Sequence, residues 1–228
     1  MKYSITEFLS EFITPARLEL FNKVLEERTG YITVVLEDIY QPQNASAVLR
    51  TCDCTGIQYV NVIENRNRFR VSKDVSLGSS KWLTIKRHKD GNNNSLDAIN
   101  YLRQDGYRII ATTPHKNDQL LQNFDIEKGK FALVFGSELP GISETIINEA
   151  DEFLKIPIYG FTESYNISVS AAITLFHLSQ KMREQTSINW RLSDSEKEEL
   201  KLQWLRNSIK QSNLLELRYH QESGKLKS

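Results

Sequence analysis

The chain has 228 residues, 39% of them apolar and 25% charged, which suits one globular domain with extensions and excludes a wholly disordered protein. Its formal net charge is zero, which argues against a protein that coats nucleic acid indiscriminately and leaves room for a local basic patch. No apolar run approaches the length of a membrane span, and the stretch from Met1 to Phe12 lacks a signal-peptide pattern.

Residues 4 to 28 carry helical periodicity, interrupted near Pro15. The β-rich run Thr33–Leu36 follows, and then Ala45 to Thr55 places Ala45, Val48, Leu49 and Cys52 on one helical face. Cys52 and Cys54 are the only cysteines and stand too close for an ordinary bridge, so a reducing cytoplasm is the expected setting. With no His or further Cys nearby they read as two buried helix thiols, and no metal is expected. Tyr59–Ile63 is the next strand, followed by a polar, basic stretch. Trp82 to Ile85 reads as a short strand and Ser95 as the cap of a helix from Leu96 to Gln104.

Gly106 introduces the strand Tyr107–Thr112. Phe131–Phe135 is continuously apolar, as a central parallel strand covered on both faces should be. Ser143 caps a helix to Ala150, Phe153–Ile156 is a further strand, and Ile167 to Met182 a long helix. This βαβα order predicts an α/β fold, a mostly parallel sheet with helices on both faces. Beyond Trp190, Ser193 with Glu196 forms a capping box ahead of the stripe Leu200, Trp204, Leu205 and Ile209. The expected organisation is an N-terminal helical arm over 1–29, a core over 30–186 and a C-terminal helical extension over 187–228.

Three segments are richer in glycine or polar residues than their elements require. In Asn44–Arg50, Asn44 suits a helix N-cap and Arg50 sits in an otherwise apolar helix. A partly buried arginine needs a carboxylate or a phosphate, so a structural ion pair and a substrate contact both stay open. In Phe135–Ser143, Ile142 follows the second glycine where a phosphate-cradling loop requires lysine. The spacing of Gly136 and Gly141 also misses the dinucleotide fingerprint, which counts against a dinucleotide-dependent oxidoreductase. Glycines directly after a central strand mean close backbone approach, to a ligand or to another loop. Glu138, in that turn, is a candidate partner for Arg50. The third segment, Ile156–Ala172, runs from a strand into the long helix and crowds Ser164, Asn166, Ser168 and Ser170 at the junction. Such junctions hold ligands in α/β proteins, because helix N-terminal amides lack partners there. Neither Ser137 nor Ser164 lies in a nucleophile elbow, so acyl transfer is not expected.

The order of Asn44…Arg50, then Phe135-Gly136-Ser137-Glu138 with Gly141-Ile142-Ser143, then Ile156-Pro157-Ile158 with Ser164-Tyr165-Asn166-Ile167-Ser168 resembles the three motifs of the SpoU RNA 2′-O-ribose methyltransferases, of the SPOUT superfamily. The resemblance runs colinearly over roughly residues 31 to 185. Short helical arms, without a large N-terminal domain, bring it nearest the TrmH subgroup, which methylates a D-loop guanosine of tRNA. The resemblance implies a deep trefoil knot in the C-terminal part of the sheet, a feature that periodicity never proposes. It also implies S-adenosylmethionine as methyl donor and a homodimer with the site near the subunit boundary. By position, the donor pocket is expected at Thr112, Gly136, Ile156 and Tyr165, with Tyr165 standing where Leu is common. Asn44, Arg50, Glu138, Ser164 and Asn166 match the family's polar active-site positions.

The resemblance makes Arg50 the group that acts on the 2′-hydroxyl. A guanidinium keeps its proton throughout the accessible range, so its expected part is to fix the flanking phosphate and acidify the hydroxyl by its field. Asn44 and Asn166 would orient Arg50 and the ribose. The expected partner is tRNA, with rRNA and a non-catalytic RNA-binding module as alternatives, and neither DNA nor membrane. Arg66, Arg68, Arg70 and Lys73 are the expected phosphate contact. Lys86-Arg87-His88-Lys89 forms a second basic cluster, and Lys197, Lys201, Arg206, Lys210 and Arg218 of the C-terminal arm a third.

Overall fold

The apolar run Phe131–Phe135 lies at the middle of a seven-stranded parallel sheet, buried at every position. The computed structural model describes residues 4–113 and 119–225, apart from the side chains of Lys73 and of residues 223–225. Strands β1 (Ile32–Glu37), β2 (Tyr59–Ile63), β3 (Thr84–His88), β4 (Arg108–Thr112), β5 (Gln119–Leu120), β6 (Phe131–Phe135) and β7 (Glu152–Lys155) lie in the order β3-β2-β1-β6-β4-β7-β5. Helices are α1 (Ile5–Ser10), α2 (Pro15–Glu26), α3 (Pro42–Thr55), α4 (Lys73–Ser76), α5 (Asn94–Gln104), α6 (Glu144–Glu149), α7 (Ile167–Glu184), α8 (Asp194–Ser208) and α9 (Ser212–Lys225).

Side-chain alternation divides the strands between two apolar layers. Ile32, Val34 and Leu36 of β1 join Phe131, Leu133 and Phe135 of β6 beneath α3 and α7. Val35, Ala132 and Val134 face the other way, against Ala98, Ile99 and Leu102 of α5 and Ile146 of α6. Both faces of the sheet are therefore covered, as a parallel sheet requires.

The chain forms two compact units, Thr29–Trp190, and Met1–Arg28 together with Arg191–Ser228. In the second, α1 packs on α8 and α9, and α2 on α8, so the two expected arms form one helical unit. Its core holds Trp204, edge-on to Phe21 at 5.5 Å, with the buried Arg28 guanidinium 5.3 Å from the indole. The capping box of Ser193 and Glu196 opens α8 as expected.

Several boundaries differ from the sequence reading: β4 begins at Arg108 rather than Tyr107, β7 spans Glu152–Lys155 rather than Phe153–Ile156, and the starts of β3 and α5 shift as well. Ser79–Lys81 form a 3-10 turn closing at Trp82, which delays β3 to Thr84. Asn93, rather than Ser95, caps α5, its Oδ1 accepting from Leu96 N at 3.1 Å. Ser95 lies within the helix and donates to Glu37 instead. Cys52 is buried, while Cys54 is exposed on the outer side of α3; both are free thiols.

Candidate active site

Strands β1 and β6 are neighbours, but the chain leaves β1 towards β2 and β3, while β4 and β7 lie on the other side of β6. The crevice beyond the carboxyl ends of such strands is the natural ligand site of a parallel sheet. Here it is bounded by the loop from Gly136 to Ile142, Thr112 and Thr113 at the end of β4, and the segment leading into α7, while Tyr40 and Gln41 adjoin it through Glu138.

The loop after β6 is a tight turn. Ser137 and Gly141 exchange backbone hydrogen bonds at 3.0 and 3.1 Å, with Gly141 at φ 69. A Cβ on Gly136 would fall 2.2 Å from the Gly141 carbonyl carbon and 2.4 Å from Ile142 N. The close approach anticipated at Gly136 is thus to the chain itself, and glycine is required there. The turn projects Glu138 towards the N-terminus of α3.

Glu138 Oε1 accepts from Asn44 Nδ2 at 2.8 Å, and the carboxylate takes the backbone amides of Tyr40 and Gln41 at 3.3 Å each. Asn44 Oδ1 in turn accepts from Asn166 Nδ2 at 3.3 Å. Asn166 is the N-cap of α7, its Oδ1 accepting from Ser168 N at 2.9 Å and Ser168 Oγ at 2.7 Å. Three sequence segments therefore meet in one hydrogen-bonded row. Burial works to raise the Glu138 carboxyl, but the donors from Asn44 and from backbone amides outweigh it and hold it below the ordinary carboxylate range.

Asn44 is not the N-cap of α3. Gln41 holds that position and Pro42 follows at N1, leaving Asn44 at N3, inside the first turn, where it faces Glu138. Glu138 does not pair with Arg50, since its acceptor sites are filled by Asn44 and the two amides.

Beside this row lies a cleft of about 430 Å³, lined by Thr112, Gly136, Glu138, Ile142, Ile147 and the run Ser164–Ile167, among others. Thr112 donates its hydroxyl to Val134 O at 2.7 Å, so that donor is already satisfied where the residue lines the cleft. Ser164, Tyr165 and Asn166 form the exposed rim. Ile156 is not among the lining residues; half-buried, it packs on the core layer beneath α3 and α7.

Arg50 is exposed and makes no ion pair among the described residues, which overturns its expected burial. Helix α3 turns Ala45, Val48, Leu49 and Cys52 inward, and this rotates Gln43, Ala47, Arg50 and Cys54 outward. Within the chain, Arg50 does not line the cleft.

Arg66, in the bend that follows β2, and Arg68 and Arg70 beyond it are all exposed and line one groove. The Lys73 side chain lies outside the described residues. The second basic cluster is partly neutralised: Arg87 forks onto Glu64 at 2.5 and 2.7 Å, and Lys86 lies over the Tyr101 ring at 3.1 Å. In the C-terminal arm Lys197, Arg206 and Arg218 pair with Glu26, Glu216 and Glu222. Among the described residues no three His, Cys, Asp or Glu side chains gather as a metal site would require, and no helix is long and apolar enough to cross a membrane.

Residues 31–176 match the family model described as the SpoU rRNA methylase family. The chain belongs to this family. It is 43% identical over 208 residues to the tRNA (guanosine(18)-2′-O)-methyltransferase of Borreliella burgdorferi, covering 91% of this chain and 93% of that one. The enzyme of the same description from Thermus thermophilus is 33% identical, with 74% and 84% covered. The crystal structure of the Aquifex aeolicus TrmH/SpoU tRNA modifying enzyme superposes with a TM-score of 0.75 at 28% identity, covering 86% of this chain and 98% of that one.

Sequence reasoning missed two acidic residues that hold the site's frame. Glu37, buried at the end of β1, accepts from Ser95 Oγ at 2.5 Å, Ser143 Oγ at 2.7 Å and Ser143 N at 2.8 Å. Asp38, at φ 53, accepts from the amides of Asn65 and Arg66 at 2.7 and 2.8 Å. Two adjacent carboxylates closing an apolar strand were the signal available for both.

Proposed function

We propose that this member of the SpoU family transfers a methyl group from S-adenosylmethionine to a ribose 2′-oxygen of RNA, most directly to guanosine 18 of tRNA, the nucleotide in the description of its relatives. The observation that carries the reading is the row Glu138–Asn44–Asn166 at the rim of the cleft. A volume of about 430 Å³, an apolar wall from Ile142 and Ile147, and polar Ser164, Asn166 and Ser170 fit a donor of this size and mixed character. Thr112, Gly136 and Tyr165 would hold the donor, with Ile156 supporting the fold from behind. When bound, that donor supplies an already activated sulfonium methyl.

The chain's own residues then have to align the acceptor, exclude water and acidify the hydroxyl. Glu138 fixes Asn44, and Asn44 with Asn166 presents amide groups towards the ribose; Ser164 completes the polar rim. Arg50 reaches the acceptor from a second copy of the chain. Supporting this, the outward faces of α3 and α7 lie side by side, and Phe176 and Val169 of α7 are exposed at 64% and 43%. An apolar face of that kind suits a homodimer contact. The dimer would set Arg50 beside the other subunit's cleft, where its field lowers the hydroxyl's pKa. Arg66, Arg68 and Arg70, with Lys73, would take flanking phosphates.

The family likeness supports a trefoil knot where the chain passes from β6 through β7 into α7. The free thiols of Cys52 and Cys54 suit a cytoplasmic setting. The test is to map 2′-O-methylated nucleotides in tRNA and rRNA from cells with and without the gene. Loss of methylation at a tRNA D-loop guanosine is expected, and an unchanged map in both RNA classes overturns the reading.

A further inference from the structure

An open groove of about 760 Å³ runs between Tyr40–Gln43 on one wall and Arg66, Arg68 and Arg70 on the other. The arginine wall is built rather than loose. Asp38 Oδ1 gathers three successive amides, those of Asn65, Arg66 and Asn67, at 2.7, 2.8 and 3.2 Å. Its backbone carbonyl takes Asn67 Nδ2 at 2.8 Å. Further along, Glu64 Oε2 accepts from Phe69 N at 2.9 Å, and Ser46 Oγ of α3 from Ser72 N at 2.7 Å.

Asn65–Asn67 bend around Asp38, which leaves the Arg66 side chain exposed, and beyond the bend alternate side chains face opposite sides. Phe69 and Val71 turn inward and pack on the core, so Arg68 and Arg70 face outward and line the groove with Arg66. None of their guanidinium groups is ion-paired among the described residues, whereas the neighbouring Arg87 is forked onto Glu64. A fixed row of cations without counter-charges attracts a phosphate backbone. On the facing wall, the Tyr40 ring is 72% exposed although its own amide is held by Glu138. An anchored aromatic opposite a cationic row is the arrangement by which single-stranded nucleic acid is held, bases on the ring and phosphates on the cations.

We propose that this groove seats the single-stranded RNA segment adjoining the acceptor nucleotide, with phosphates on Arg66, Arg68 and Arg70 and one nucleobase stacked on Tyr40. Asp38 is the positioning residue that holds the arginine row in place. The inference rests on the RNA-methylation reading and adds the path of the strand. Glu138 joins that path to the methylation site, because one carboxylate holds Tyr40, Gln41 and Asn44 together.

The test uses the full chain and an RNA hairpin carrying 2-aminopurine next to the acceptor nucleotide in its loop. Wild type and Tyr40→Phe should quench the probe on binding. Tyr40→Ala should abolish the quench and weaken binding roughly tenfold or more, with the salt slope unchanged. Arg68→Gln should instead lower the salt slope by about one. Asp38→Ala should weaken RNA binding while donor binding by calorimetry stays normal, and Asp38→Asn, which keeps Oδ1 and tolerates the left-handed backbone, should restore it. Unchanged affinity and quench in Tyr40→Ala overturn the inference. So does a Tyr40→Ala protein that turns monomeric with its RNA affinity intact, since the ring then belongs to a subunit contact. A wild-type protein that quenches the probe but methylates no RNA overturns the methylation reading and leaves the groove standing; one that binds no RNA removes both.

Discussion

The side chain of Asn44 donates to Glu138 at 2.8 Å across 94 residues of sequence, fastening the start of α3 to the turn after β6. The same carboxylate collects the amides of Tyr40 and Gln41, so it is the knot of polar contacts at the site rather than a partner for a cation. Removing it strands several donors at once. Glu138→Ala should lower turnover by at least tenfold and stability by about 1–3 kcal/mol, the usual cost of orphaned donors. Single-turnover methylation and denaturant melts check the two effects separately.

The pH dependence follows from the same contacts. The folded carboxyl of Glu138 titrates below its unfolded value, so its contribution to stability is fully present above the ordinary carboxylate pKa of about 4.3 and is lost as pH falls through the lowered folded value. Melting curves of wild type and Glu138→Gln should therefore differ at neutral pH and converge in acid. A gap that persists at the lowest pH contradicts the assignment.

Gly136 tolerates no side chain, because a Cβ would enter the backbone of Gly141 and Ile142. Gly136→Ala should cost roughly 1–3 kcal/mol, as overpacking does, and open the turn that carries Glu138. The expected result is a lowered melting temperature together with weakened donor binding by calorimetry. Normal donor affinity in a destabilised protein would separate the turn from the cleft.

Arg50 is exposed and makes no ion pair among the described residues, so Arg50→Ala should leave stability within about 0.5 kcal/mol of wild type while turnover collapses. Mixing it with Glu138→Ala protein offers a sharper readout. If a second copy delivers Arg50, mixed dimers hold one site with both groups intact and regain activity. Failure to regain any activity after exchange of subunits places Arg50 and Glu138 in the same functional site of one chain.

Much of the core was legible because period-two and period-3.6 patterns report burial directly. Phe131–Phe135 and Tyr59–Ile63 are strands with the boundaries the residues indicated. Caps were less legible: Asn44 and Ser95 are good capping residues that lie inside the first turns of α3 and α5, and both are drawn into contacts with Glu138 and Glu37 instead. Local preference lost to partners distant in sequence. Arg50 was misplaced for a related reason, since the apolar residues around it in sequence lie on the opposite face of its helix. The two-residue β5 carries no periodic pattern at all and was invisible.

The pairing of α1 and α2 with α8 has a temporal consequence. Ribosomes emit the first helices long before the last, at about 5–20 residues per second. Phe8, Leu9, Phe21 and Leu25 must therefore wait, uncovered, for on the order of ten seconds or more while the intervening segment is made. A nascent chain of this kind should recruit holding chaperones early, and translational stalling before α8 should leave it prone to precipitation.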